Sequence, residues 1–100
     1  MSHDELDRNT VRDFGRVRAR LIRDGNFNDL LKHDLRQTGK NNSTLATILG
    51  TSRASLHKWL AGSVVPSIEF LARIADLVYP EMADEVIVQY VRKVQSERTE

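Results

Sequence analysis

Between Asp4 and Arg23, apolar Leu6, Phe14, Val17, Leu21 and Ile22 recur at helical spacing, while Arg8, Arg12, Arg16 and Arg20 step by four along another face. The pattern predicts an amphipathic helix over residues 4–24. Asp24-Gly25-Asn26 breaks it, after which Asn28 can cap a second helix carrying Leu30, Leu31 and Leu35 to about Thr38, with Gly39 as its stop. Further on, Ile68, Leu71, Ile74, Ala75 and Val78 stand at core spacing in a helix that Ser67 starts. Pro80 then sits where it would end that helix and open another, from about Glu81 to Gln95. No stretch reads as a strand, so the chain is expected to be all-α, with five or six helices.

The most specific segment is NSTLATILGTSRASLHKWLAG, residues 42–62. Leu45, Ala46 and Leu49 mark one face of a helix over Ser43 to Leu49, and Leu56, Trp59 and Leu60 mark the buried face of another over Ser52 to Ala61. Ala46 is small where the second helix must approach, and Gly50 can take the left-handed conformation that ends a helix without steric cost. Ser52 can accept a hydrogen bond from the first free amides of the next helix, so the chain restarts at once. This is a helix-turn-helix pattern.

Continued through GSVVPSIEFLARIADLV, the block resembles the DNA-binding domain of the lambda repressor and Cro-type (Xre-type) regulators. Ala46, Gly50, Leu56, Trp59, Gly62, Pro66 and the closing LARIADL carry the resemblance. It implies a lambda-repressor-like domain of five core helices, with the helix-turn-helix core over 28–79; one hundred residues with 40% apolar content suit a single domain, to which the helix over 4–24 is an amino-terminal addition and the helix over 80–96 an extended carboxy-terminal end. It also implies that the second helix of the motif enters the major groove of duplex DNA. With Leu56, Trp59 and Leu60 inward, Ser52, Arg53, Ala54, His57 and Lys58 face the groove. Arg53 can bond both acceptors of a guanine, Ala54 offers a methyl contact to thymine, and His57 and Lys58 can reach a base edge or a phosphate. Asn42 matches the family position that supports readout or clamps a phosphate. Backbone contacts are expected from free amides around Asn42, Ser43 and Ser52, with Lys40, Asn41 and Ser63 nearby. Relatives often carry glutamine at the positions of Asn42 and Arg53, and Lys or Arg in the loop where this chain has Ser63-Val64-Val65, so no operator sequence transfers.

Charge changes the picture once it is divided along the chain. The formal net charge is only +1, yet Leu35 to Ile68 contains Arg36, Lys40, Arg53 and Lys58 and no acid, whereas Glu69 onward holds seven acids against four bases. A phosphate backbone would attract the first region and be repelled by the second. There is no apolar run of about 18 residues, and MSHDELDRNT is acidic and polar, so neither a membrane span nor an export leader is expected. A cytoplasmic, nucleoid-associated location is expected. Cysteine is absent, which excludes a disulfide framework and thiolate metal sites. His3, His33 and His57 are scattered, and Ser52 or Ser55 beside His57 on one exposed helix makes a poor triad, so no metal, cofactor or enzymatic activity is expected.

Two functional classes remain. One is a sequence-specific duplex-DNA-binding regulator, acting as a dimeric repressor of phage or bacterial type. The other is an interaction module, such as an antitoxin, that neutralises a protein partner through the helices at its ends. The carboxy-terminal helix has Ala83, Ile87, Tyr90 and Val94 in a coiled-coil-like spacing, with Met82, Val86, Val88 and Val91 beside them, and is the expected homodimer seam. The amino-terminal helix is expected to dock by its apolar face, holding its arginines fixed in space.

Overall fold

A computed structural model describes residues 15–98. Every regular element among them is helical: α1 over 15–24, α2 Phe27–Gln37, α3 Asn42–Leu49, α4 Arg53–Ala61, α5 Ile68–Val78, a 3₁₀ turn Pro80–Met82, and α6 Ala83–Arg98. The all-α expectation is met. The first half of the expected amino-terminal helix, with Leu6, Arg8, Arg12 and Phe14, lies outside the described residues.

The helix starts differ from those expected by one or two positions, for a local reason. Asn26, not Asn28, caps α2, its side chain accepting from the Asp29 amide at 2.8 Å. Asn41 caps α3 by accepting from Thr44, at 2.9 Å. Ser67 precedes α5 without a side-chain cap bond. Pro80 opens the 3₁₀ turn rather than α6 itself.

Leu30, Leu31, Leu35, Leu45, Leu49, Leu56, Trp59, Leu71, Ile74, Val86 and Tyr90 form the core, with Phe27 edge-on to Tyr90 at 5.8 Å. α2 touches α4, α5 and α6, and α5 packs along α6. Two residues expected inside are outside: Val17 is 48% and Ile68 60% exposed. Conversely, Ala83, Ile87, Tyr90 and Val94 pack on this core, Tyr90 fully buried. The stripe expected to be a dimer seam therefore serves the chain's own interior, and of the apolar residues beside it Met82, in the 3₁₀ turn, and Val88, on α6, are left exposed.

α1 docks through Leu21 and Ile22 and, more tightly, through Arg18. Its guanidinium forks onto the fully buried Asp34 carboxylate at 2.9 and 3.0 Å, and Tyr90 donates to the same carboxylate at 2.6 Å. His33 Nδ1 stands 3.1 Å from it as well. Arg18 also donates to Gln89 at 2.6 Å and lies over the Tyr79 ring. Burial acts to lower the pKa of Arg18, but its bonds to Asp34 and that carboxylate's charge outweigh this and raise it. Burial, then the Asp34 charge, pushes the Tyr90 phenol upward, so it remains a donor. Gln89, Lys93 and Glu97 step by four along α6, and each binds the α1–α2 segment: Lys93 donates to the Gly25 carbonyl at 2.6 Å and Glu97 accepts from the Phe27 amide at 2.5 Å.

Truncating Asp34 would strand Arg18 as an unpaired, largely buried cation. We expect Asp34→Ala to cost about 3–5 kcal/mol and to lower the melting temperature by about 12 °C or more. Tyr90→Phe, losing one bond to a carboxylate that keeps its other partners, should cost about 1.5–3 kcal/mol. Thermal unfolding followed by circular dichroism checks both, and an Asp34→Ala protein as stable as wild type would contradict the arrangement.

Candidate nucleic-acid interface

α3 and α4 are joined by three residues whose geometry is set locally. Gly50 has φ +72°, its amide donates to Thr47 and the Thr51 amide to Ala46, at 3.2 and 2.9 Å, which closes α3 with a left-handed cap. The Ser52 hydroxyl then accepts from the Ser55 amide at 3.0 Å, and α4 begins. Arg73 of α5 braces the corner, donating to the Leu49 carbonyl at 3.0 Å and to Glu69 at 2.7 Å while lying over Phe70. A β-carbon on Gly50 would come within 2.8 Å of the Arg73 guanidinium.

α4 buries Leu56 and Trp59, the indole 5.0 Å from the Phe70 ring, and presents Arg53, Ala54, His57 and Lys58 to solvent. Those four residues stand together as the sequence expected. Ser52 is exposed too, but its hydroxyl oxygen serves as the cap. Lys40, Asn41 and Ser43 are exposed at the start of α3, the Asn41 side-chain oxygen being taken by capping. Asn42 is half-buried. Ser63 is exposed, and its amide donates to the Lys58 carbonyl at 3.0 Å.

Asn42 faces a cleft of about 260 Å³ between α2, the start of α3 and Leu60, lined also by Lys32, Arg36, Lys40, Leu35 and Leu45. It holds three cations and no carboxylate. Lys32 and Arg36 were not among the sequence candidates, although their step of four to Lys40 was visible. Leu60 is the residue of α4 that lines the cleft, and Arg53 and His57 precede it by seven and three positions, on the same side of the helix. None of Lys32, Arg36, Lys40, Arg53 or Lys58 has an ion-pair partner among the described residues.

No family model matches the chain, and comparison with curated proteins and with solved structures finds no match either. The site must be read from its chemistry. Among the described residues there is no group of three or more His, Cys, Asp or Glu side chains placed to hold a metal ion. No described helix is long and apolar enough to cross a membrane. What this surface offers is a set of cations with no ion-pair partner among the described residues, an arrangement that suits a polyanion.

The brace at the α3–α4 corner can be tested with two glycines. Gly39 has φ +68° but open space around it, so Gly39→Ala should cost only the left-handed backbone strain, about 1–2 kcal/mol. Gly50→Ala should cost about 1 kcal/mol more, because it also displaces Arg73 from the Leu49 carbonyl. Denaturant unfolding measures the difference, and equal losses would remove the brace from the account.

Proposed function

We propose that the chain is a sequence-specific duplex-DNA-binding regulator of the lambda repressor and Cro type, a repressor that inserts α4 into the major groove. The observation that carries this reading is the exposure of Arg53, Ala54, His57 and Lys58 on α4, beside a cleft that Leu60 of α4 shares with Lys32, Arg36, Lys40 and Asn42 and that no carboxylate lines. The two halves divide the work. Arg53 and its neighbours, near the amino-terminal end of a nine-residue helix, address base edges. The cleft cations and the first amides of α3 hold the backbone, whose neutralised phosphates release counterions. The cations of α2 supply the charge that the Ser63-Val64-Val65 loop lacks.

The expected contrast is between reader and clamp. Arg53→Ala should weaken the preferred site by about 1–3 kcal/mol and relax preference at one base pair. Lys32→Ala and Lys40→Ala should weaken every sequence alike and lower the salt slope by about one each. Titrations of preferred and random duplexes at several salt concentrations check this. Equal losses on both duplexes for Arg53→Ala would show that another residue reads the bases.

A repressor of this kind works as a homodimer, and the exposed apolar residues indicate where a second copy would sit. Val64, Val65 and Ile68 cluster beside a groove of about 300 Å³ whose other wall is Val91 and Val94. Ile68→Asp should therefore give a folded monomer with weakened operator binding, whereas Ile87→Asp should destabilise the fold itself. Half-sites should lie about 10 base pairs apart between centres. Sedimentation velocity decides: a wild type that is monomeric when concentrated, or an Ile68→Asp protein that still dimerises, would refute this seam. The same exposed patch would serve the antitoxin-like alternative, in which case a foreign protein rather than a second copy covers it.

A further inference from the structure

The residue expected to cap α2 does something else. Asn28, half-buried in the first turn of α2, points its amide at the far end of α4 and donates to the Trp59 and Leu60 carbonyls at 2.9 and 2.7 Å. The last carbonyls of a helix have no partner within it, and the chain turns away here through Gly62 at φ +79°. A β-carbon on Gly62 would lie 3.6 Å from the Asn28 side chain, so the amide rests directly against the turn. The Trp59 carbonyl also accepts from the Gly62 amide at 3.2 Å, so one planar group from a different helix adds a second bond there and supplies the Leu60 carbonyl, with geometry that fixes direction as well as distance.

The position of Asn28 on α2 gives this clamp a consequence. Asn28, Lys32 and Arg36 step by four and share one face of α2, with Lys40 following just beyond its end. The clamp and the cations of the cleft are therefore one row. We propose that Asn28 is a positioning residue for base reading: it locks the tilt of α4 against α2, and so sets the offset between side chains on α4 that meet base edges and cations on α2 that hold phosphates. The proposal rests on the DNA-binding role above. Arg73 braces the beginning of α4 through the preceding corner, and Asn28 holds its end, so α4 is fixed from two helices outside the α3–α4 pair.

The consequence is separable from stability. A protein that merely folds less well loses binding to all duplexes in proportion, whereas a mistilted α4 keeps its phosphate grip and loses discrimination. The test uses the full chain and two variants: Asn28→Ala, which removes both bonds, and Asn28→Ser, whose shorter hydroxyl can reach at most one carbonyl. Each is titrated with the duplex that wild type selects from a random pool and with random duplex, across salt, after circular dichroism has shown it folded.

For Asn28→Ala the ratio of preferred to random affinity should fall about tenfold, comparable to misreading one base pair, with random-duplex affinity and salt slope unchanged. Amide exchange at Gly62 and Ser63 should quicken, and Asn28→Ser should fall between. An unchanged ratio, equal losses on both duplexes, or unfolding of both variants would overturn the proposal. A wild type that selects no sequence would instead overturn the DNA-binding role itself, a result read before any variant is made.

Discussion

A carboxylate with no exposure to solvent organises this structure. Taking Asp34 out of water is costly unless its oxygens are satisfied, and they are met by the Arg18 fork, the Tyr90 hydroxyl and the His33 ring. Those partners come from α1, α6 and α2, so neutralising one charge fixes three helices relative to one another. Such an arrangement specifies an orientation more sharply than apolar contact, because a forked ion pair tolerates little rotation. The row Gln89, Lys93 and Glu97 extends the restraint along α6 to the α1–α2 turn. α2 is the beneficiary: one flank is anchored in the core by Asp34, and another presents Asn28, Lys32 and Arg36 towards α4.

α4 has little stability of its own. A helix of nine residues is marginal in isolation, and this one owes its form to Ser52 at one end, Gly62 and Asn28 at the other, and two buried side chains between. Rigidity at such a surface matters if the helix reads bases, since the donors must arrive already aligned. The amino-terminal helix, outside the α3–α4 pair, contributes to that alignment indirectly by holding α2. Arg16 and Arg20 remain exposed on α1. The arginine that acts inside is Arg18, between them.

What could be read from the sequence was what local geometry decides. Gly50, Ser52 and Gly62 impose turns and caps through their own backbone and hydroxyl chemistry, and Leu56 and Trp59 follow from helical spacing, so α4 and its outward face were legible. What failed needed a tertiary partner. Asn26 and Asn28 are chemically identical candidates for one cap, and only the nearness of the α4 terminus explains why Asn28 is used elsewhere. Arg18 gave no signal because its acceptor is sixteen residues away on another helix. Ile68 and Val17 match the apolar period yet stand exposed, since periodicity marks a face without showing that anything covers it. The surplus apolar positions of α6 divided the opposite way, most of them drawn into the core.

The proposed function depends on discrimination among sequences, which the cationic face alone would not provide, because charge attracts any polyanion. Selection of bound fragments from a random pool of duplex DNA tests it most directly. The account predicts enrichment of an inverted repeat with half-site centres about one helical turn, near 10 base pairs, apart. A pool that stays random through repeated rounds, although the folded protein is present in excess, would contradict it.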